Sequence, residues 1–326
     1  MPSDLVFLTG ATGFIGGHVL RELRAAGYRV RALARSLETK LDAEIIVGDL
    51  NATGALVRAM DGCRYVVHCG ALYSFAPHAR AAMQRVNVLG TAGLLEAARI
   101  AGVERAVVTS SSATVGPARN GTLATEADHA HDMHGSAYHR SKVEQERAAI
   151  AARVPAVLLL PSAPIGPGDA KPTPTGKLVL DFARGRIGVA PPGGGGMNLV
   201  AVEDVARAHV AALERGEPRE RYLIGGENLT LDEVWVLLAQ ASGRAVPRTR
   251  LPYGVALAAG WVDEFRCRYL QRDREPSIPL EGVRMSRERM FVDSGRAQRE
   301  LGHTPTPVRE AIERAIAWYR AHGYVA

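Results

Sequence analysis

The first half of the chain alternates short, wholly apolar runs with stretches of helical period. This alternation constrains the fold more than any other feature of the sequence. The runs are "LVFLTG", "YRVRALAR", "AEIIVGD", "CRYVVHCG", "RAVVTSSS" and "PAVLLLPS". Between them lie helical patterns at Phe14 to Ala26, about Asn51 to Met60, Ala81 to Ala101 and Tyr138 to Ala151. A strand apolar on both faces must be covered on both faces, and an intervening helix supplies the crossover that parallel pairing requires. The pattern therefore predicts an α/β protein with a doubly wound parallel sheet of the Rossmann type.

After Pro161 the rhythm breaks. "PSAPIGPGDAKPTPTG" carries prolines and glycines at a density that predicts a long irregular surface or cleft loop. "PPGGGG" at 191 to 196, a capping box at Thr230 and Glu233, and an amphipathic segment from about Pro307 to His322 follow. These signals divide the chain into a dinucleotide-binding domain, residues 1–165 plus about 198–225, and a smaller, discontinuous, mostly helical substrate domain at about 166–197 and 226–326. Asp204 falls where a helix cap is expected, and Asn87 is read as a brace for a strand of the site.

At the first strand-to-helix turn, "LTGATGFIGG" spaces Gly10, Gly13 and Gly16 as G-x-x-G-x-x-G. Gly10 allows a tight turn, Gly13 lets backbone amides approach a pyrophosphate, and Gly16 lets the helix close on the strand. The helix N-terminus then favours an anion. Where NAD-preferring proteins end the second strand on a carboxylate, this chain has Ala34 and Arg35. A guanidinium can grip a 2′-phosphate with a planar fork of donors, so NADP(H) is expected over NAD(H). Asp49 and Leu50, after the third strand, are expected at the adenine.

With "TGATGFIG", "GDL", "SSSATVG" and "YHRSK" in that order, the chain resembles the extended short-chain dehydrogenase/reductase superfamily, also called the NAD-dependent epimerase/dehydratase family. The phrases "VRALARS", "GGENLT" and "EGVRM" look most like its dihydroflavonol reductase-like group, especially the bacterial hopanoid-associated sugar epimerase subgroup. The resemblance implies a nicotinamide-dependent enzyme with Ser112, Tyr138 and Lys142 as catalytic residues, Ser110 and Ser111 staying open as alternatives to Ser112. It also implies cofactor contacts from Thr12, Phe14, Ile15, Gly70, Ala71 and Pro161, as well as Tyr138 and Lys142.

The residues themselves support that chemistry. Tyr138 and Lys142, the latter one of only four lysines, share a helical face at spacing i, i+4. The ammonium is therefore expected to lower a phenol pKa that ordinarily lies near 10. Tyr138 would then act as general acid on a carbonyl oxygen that the serine also holds.

Three departures from the family's pattern separate the branches. Ala113 and Thr114 stand where dehydratases carry an Asp-Glu pair, Pro161 and Ser162 stand near the asparagine that nucleotide-sugar epimerases place on the substrate diphosphate, and Arg35 replaces the acidic NAD signature. Together they favour an NADPH-dependent reductase of an aldehyde or ketone on a hydroxylated compound, such as a terpenoid- or hopanoid-linked one. An epimerase working through a transient ketone is the alternative, and a non-catalytic NADP-binding sensor the third reading.

Composition narrows the remaining classes. At 47% hydrophobic and 23% charged, the 326 residues are those of a globular protein. The net charge of +6 is dispersed rather than massed with aromatics, so nucleic acid is not an expected partner. Cys63, Cys69 and Cys267 form no C-x-x-C pair, which points to a reducing, cytoplasmic setting. The opening "MPSDLVFLTG" runs almost at once into a strand-like segment, so export is not expected. A homodimer through the long helices flanking the sheet is expected by analogy with similar proteins. His129, His131 and His134 have spacings a metal could use, but the chemistry requires none, and a solvated loop is expected. "YGVALAAGWVDEFRCRYL" holds an apolar run, Val255 to Val262, that is far shorter than the roughly 20 residues a membrane span needs. It reads chiefly as a core-facing helix, with peripheral contact with a membrane or cover for a lipid-like substrate as the other readings.

Overall fold

The computed structural model describes residues 4–38, 40–119, 121–130, 136–271 and 274–325. The first half runs β1 (Leu5–Thr9), α1 (Phe14–Ala25), β2 (Arg29–Ala34), β3 (Glu44–Val47), α2 (Thr53–Ala59), β4 (Tyr65–His68), α3 (Arg80–Met83), α4 (Gly90–Ile100), β5 (Arg105–Thr109), α5 (Ala137–Ala151) and β6 (Ala156–Pro161). There follow β7 (Ala163–Ile165), α6 (Pro174–Ala183), β8 (Val189–Ala190), β9 (Gly196–Ala201), α7 (Val202–Arg215), β10 (Arg221–Ile224), β11 (Glu227–Thr230) and α8 (Leu231–Ser242). The chain closes with β12 (Thr249–Arg250), α9 (Tyr253–Tyr269), α10 (Leu280–Met285), β13 (Arg289–Met290), α11 (Gly295–Leu301) and α12 (Val308–Ala321).

The main sheet has the order β10-β6-β5-β4-β1-β2-β3, and every pairing in it is parallel. Successive residues of its strands feed opposite cores. Val6, Leu8, Val157 and Leu159 pack towards α1 and α7, while Leu5, Phe7, Leu158 and Leu160 pack towards α2, α4 and α5. Burying each valine or leucine is worth about 1.5–3 kcal/mol, so a one-residue slip would exchange two cores at once. Connections leave β1 in one direction across the sheet and return to β4 on its other side, which opens a crevice at their carboxyl ends.

The expected helix over Ala81 to Ala101 is broken. Between α3 and α4 the segment Gln84–Leu89 winds as a π-helix. Asn87 in it accepts from Leu72 N at 2.7 Å and donates to Leu72 O at 2.9 Å and to Ser141 at 3.0 Å. It braces the segment after β4, the role read for it in the sequence. The Pro/Gly-rich stretch after Pro161 is also less irregular than expected. Its start forms β7, which pairs in parallel with β9, and β11 and β13 complete a small mixed sheet on β9.

Thr230 and Glu233 form the expected capping box on α8. Asp204 corrects its reading as a cap, because the capping position of α7 is Ala201. The Asp204 carboxylate instead accepts from Thr306 N at 2.6 Å and from the Thr306 hydroxyl at 2.7 Å. The helix α9 is likewise only partly core-facing: Ala256, Gly260 and Cys267 are buried, but Trp261, Phe265 and Tyr269 face solvent.

One buried ion pair ties these layers together. Glu146 of α5 lies 3.2 Å from Arg221 of β10, their side chains 6% and 7% exposed. The carboxylate also accepts from Ser110 at 2.5 Å and Thr114 at 2.6 Å. Arg221 in turn donates to the carbonyls of Glu126 and Asp128. Breaking a buried pair on one side strands a charge, whereas removing both partners does not. Glu146→Leu should lose about 3–5 kcal/mol of unfolding free energy. Urea unfolding should show Glu146→Leu/Arg221→Met losing clearly less, and equal losses in the two would show that the groups are not coupled.

Candidate active site

The carboxyl ends of β1, β4, β5 and β6 bring most of the sequence-selected residues to one edge of the sheet. Gly10 follows β1 with φ of +76°, and a Cβ there would lie 2.7 Å from Cys69 C and from Gly70 N. At Gly16 a Cβ would lie 2.0 Å from Gly10 O. No side chain could occupy either place without moving backbone, so β1, α1 and β4 approach as closely as the glycine spacing predicts.

Gly13 caps α1, which has neither a side-chain cap nor an acidic residue in its first turn. Its leading N–H groups are therefore left to an anion. Thr12 is exposed and Phe14 and Ile15 half-buried around this cradle. The residues fit a dinucleotide's pyrophosphate.

Farther along the edge, Arg35 is exposed just beyond β2 and has no ion-pair partner among the described residues. Asp49 accepts from Asn51 N at 2.7 Å and from Asn51 Nδ2 at 2.6 Å, and these bonds hold its carboxyl below the usual range. Leu50 packs beside Gly70 and Gly90, where added Cβ atoms would come within 3.5 Å and 3.3 Å of it. Ala71 is exposed next to Gly70, and Pro161 is buried at the end of β6.

The serine beside the phenol is not the one the family resemblance implies but its neighbour, Ser111. Tyr138, one residue into α5, is hydrogen-bonded to Ser111 rather than to Ser112. Ser111 also accepts from Ala113 N at 3.2 Å, which turns the chain into the short 3-10 segment Ser112–Thr114. Ser110 points the other way, into Glu146. The phenol stacks at 60° against Tyr73, with ring centres 4.3 Å apart.

Lys142 is 2% exposed, and its Nζ donates to Thr109 O at 2.9 Å and to Gln145 Oε1 at 2.5 Å. An ammonium has three donors, and these two bonds leave one for a ligand. The bonds also explain why the expected phenol shift runs the other way. The ammonium is directed at β5 and Gln145 instead of at Tyr138, so burial dominates and pushes the phenol up to about 12. Burial likewise pushes Lys142 down to about 8, opposed by the Glu146 carboxylate.

Behind Lys142 runs a buried polar network that sequence reasoning missed. Gln145 Nε2 donates to Thr91 Oγ1 at 2.9 Å, and that hydroxyl gives its only proton to Asn87 O at 2.6 Å. His68 Nε2, 2.8 Å from Thr91 Oγ1, must therefore be the donor there, and its Nδ1 accepts from Thr9 at 2.6 Å. Thr9 in turn accepts from Gly70 N at 3.2 Å. The imidazole this requires is neutral, and burial with the nearby Lys142 charge pushes its pKa down to about 3. Only the spacing of Gln145, three residues after Lys142 on the same helix, gave a sequence signal.

Two other expectations have their places. His129 accepts from Arg221 Nη1 at 3.3 Å, while His131 and His134 lie outside the described residues. Thr114, in the position of the dehydratase acid pair, is buried against Glu146.

Because the folded pKa of Lys142 lies below its ordinary value near 10.5, this lysine costs stability below about pH 8, and the cost is relieved as pH rises towards 10.5. Unfolding of ligand-free protein should therefore show wild type gaining on Lys142→Met between pH 8 and 10.5, at up to about 1.4 kcal/mol per pH unit. A gap that stays constant over that range would show that Lys142 titrates normally.

The sequence pattern described as the NAD dependent epimerase/dehydratase family matches residues 6–225. A putative dihydroflavonol 4-reductase of Synechocystis sp. is 38% identical over 99% of this chain and 96% of its own length. The sterol demethylase protein B of Methylococcus capsulatus is 33% identical over 98% of this chain and 99% of its own length. The crystal structure of gox2253 is similar with a TM-score of 0.84 at 36% identity, covering 99% of this chain and 100% of that one.

Proposed function

The chain belongs to the NAD dependent epimerase/dehydratase family and is an NAD(P)-dependent enzyme of the extended short-chain dehydrogenase/reductase type, and we propose that it is an NADPH-dependent reductase of an aldehyde or ketone on a hydroxylated, largely apolar carbon skeleton. The observation that carries this reading is the Tyr138 phenol beside Ser111, with buried Lys142 behind them, at the sheet edge that holds the glycine cradle.

The chemistry the cofactor supplies when bound is hydride donation. Tyr138, pushed up to about 12, holds its proton at neutral pH, as a group that must protonate a developing alkoxide needs to do. Ser111 is placed to hydrogen-bond the same oxygen, and Ser112 stands next to it at the start of the turn. Lys142, with two of its three N–H groups bonded to Thr109 O and Gln145, keeps one for the cofactor's ribose.

Three features weigh for reduction over neighbouring reactions. Elimination needs an acid-base pair where this chain has Ala113 and a sealed Thr114. Pro161 and Ser162 stand near the place where nucleotide-sugar epimerases present an amide to a diphosphate, and the Ser162 hydroxyl is buried without a partner among the described residues. The Arg35 guanidinium, exposed and without an ion-pair partner among the described residues, suits a 2′-phosphate. The relatives named for dihydroflavonol reduction and sterol demethylation support a polycyclic or terpenoid-like skeleton.

Incubation with NADPH and a panel of hydroxylated polycyclic and terpenoid aldehydes and ketones should show one NADPH oxidised per carbonyl reduced. Protein that retains nicotinamide and interconverts two alcohols without net oxidation would instead be an epimerase. Tyr138→Phe should slow turnover by about 10²–10⁴ and leave NADPH binding intact. Ser111→Ala should cost more turnover than Ser112→Ala, and the reverse ranking would return the role to Ser112. In a separate measurement, Arg35→Asp should raise the KM for NADPH about tenfold or more while leaving that for NADH unchanged or lower. Equal effects on the two cofactors would remove Arg35 from the site.

A further inference from the structure

The outward face of α9 has a pattern that the reductase chemistry does not use. At about 100° per residue, Trp261, Phe265, Tyr269, Val262 and Val255 fall within an arc of about 120°, and each is 53–59% exposed. Arg268 lies on one edge of that arc and Arg266 on the other, both exposed. The opposite side, Ala256, Gly260 and Cys267, is buried. Gly260 there packs so closely on α10 that a Cβ would meet Leu280 at 3.1 Å.

The two acidic residues nearest the stripe fall on the other half of the helix. Asp263 is spent inward, accepting from Ile278 N at 2.8 Å, and Glu264 is half-buried. Single exposed apolar side chains are ordinary, but a continuous stripe rimmed by charges of one sign marks a contact surface.

We propose that α9 is a membrane-docking helix that lies in the headgroup region of an anionic bilayer. Aromatic side chains with an apolar body and a polar tip suit that depth, and arginines on both flanks can bury their stems and leave their charge among the phosphates. With 17 residues and four charged groups, α9 is suited to lie on a bilayer rather than cross it. No helix among the described residues is long and apolar enough to span one.

A second copy of the chain is the poorer occupant. A two-fold contact would bring two stripes together with no acid on either rim to meet the arginines, whereas anionic lipid supplies that countercharge.

The surface also adjoins the candidate site. The helix packs against the 3-10 turn Pro77–Ala79 and against α10, whose Glu281 is hydrogen-bonded to Ser136 at the head of α5. Docking would thus place the cleft close to lipid. That consequence rests on the reading of an apolar carbonyl substrate, whereas the docking itself does not.

The test needs neither substrate nor turnover. Purified protein is mixed at low salt with phosphatidylcholine–phosphatidylglycerol vesicles and, separately, with phosphatidylcholine alone. It should sediment with the anionic vesicles, with a blue shift of tryptophan fluorescence that Trp261→Phe abolishes. Arg266→Gln and Arg268→Gln should each weaken binding about fivefold, and Phe265→Ser/Tyr269→Ser should abolish it, with circular dichroism unchanged.

Failure to sediment with anionic vesicles would overturn the proposal. So would light scattering in which the Phe265→Ser/Tyr269→Ser variant turns a dimer into a monomer, because the face would then belong to a second copy. Neither outcome touches NADPH oxidation, so the docking and reductase readings fail separately.

Discussion

The site's geometry depends on a carboxylate buried where carboxylates are costly. Glu146 lies beneath the turn after β5 and accepts from Ser110, Thr114 and Arg221. An isolated charge at that depth would be strongly unfavourable, so its partners are constrained to reach it. Ser110 consequently faces inward and Ser111, its neighbour on the chain, faces Tyr138. Thr114 is drawn down in the same way, which makes the position of a dehydratase's acid pair structural in this chain. The ion pair thereby decides which serine side chain turns inward and which meets the phenol.

Alongside that charged node lies a neutral one. Gln145, Thr91, His68 and Thr9 pass hydrogen bonds from Lys142 to the start of the glycine turn, and the donor count leaves one consistent tautomer for His68. A network with its members satisfied holds its shape without adding charge. It links the lysine on α5 to the backbone at Gly70 that borders the phosphate cradle. The cost of the arrangement is borne by Lys142, whose ammonium is held where burial disfavours it, and by Tyr138, whose phenolate is disfavoured for the same reason.

Much of the fold was legible from local signals. Wholly apolar runs separated by helical periods imply a covered parallel sheet, and the seven-stranded sheet has that form. Gly10 and Gly16 were legible because their requirement is steric and local, and the capping box on α8 because its partners are three residues apart. The break at Asn87 was not, since the π-helix is tied to Leu72 and Ser141, distant in sequence. Nor was β7, a strand whose partner, β9, comes about thirty residues later.

Local signals account for the alternation of strands and helices from β1 to β6, the close turn at Gly10 and Gly16 and the placing of Tyr138 and Lys142 on one helical face, because each follows from periodicity or from the absence of a Cβ. Tertiary packing alone sets that Ser111 meets the phenol, that the lysine's charge turns towards Thr109 and Gln145, and that Trp261, Phe265 and Tyr269 of α9 face outward. Those outcomes depend on competition among groups far apart in the chain for a few buried partners, and a linear pattern does not encode which of them prevails.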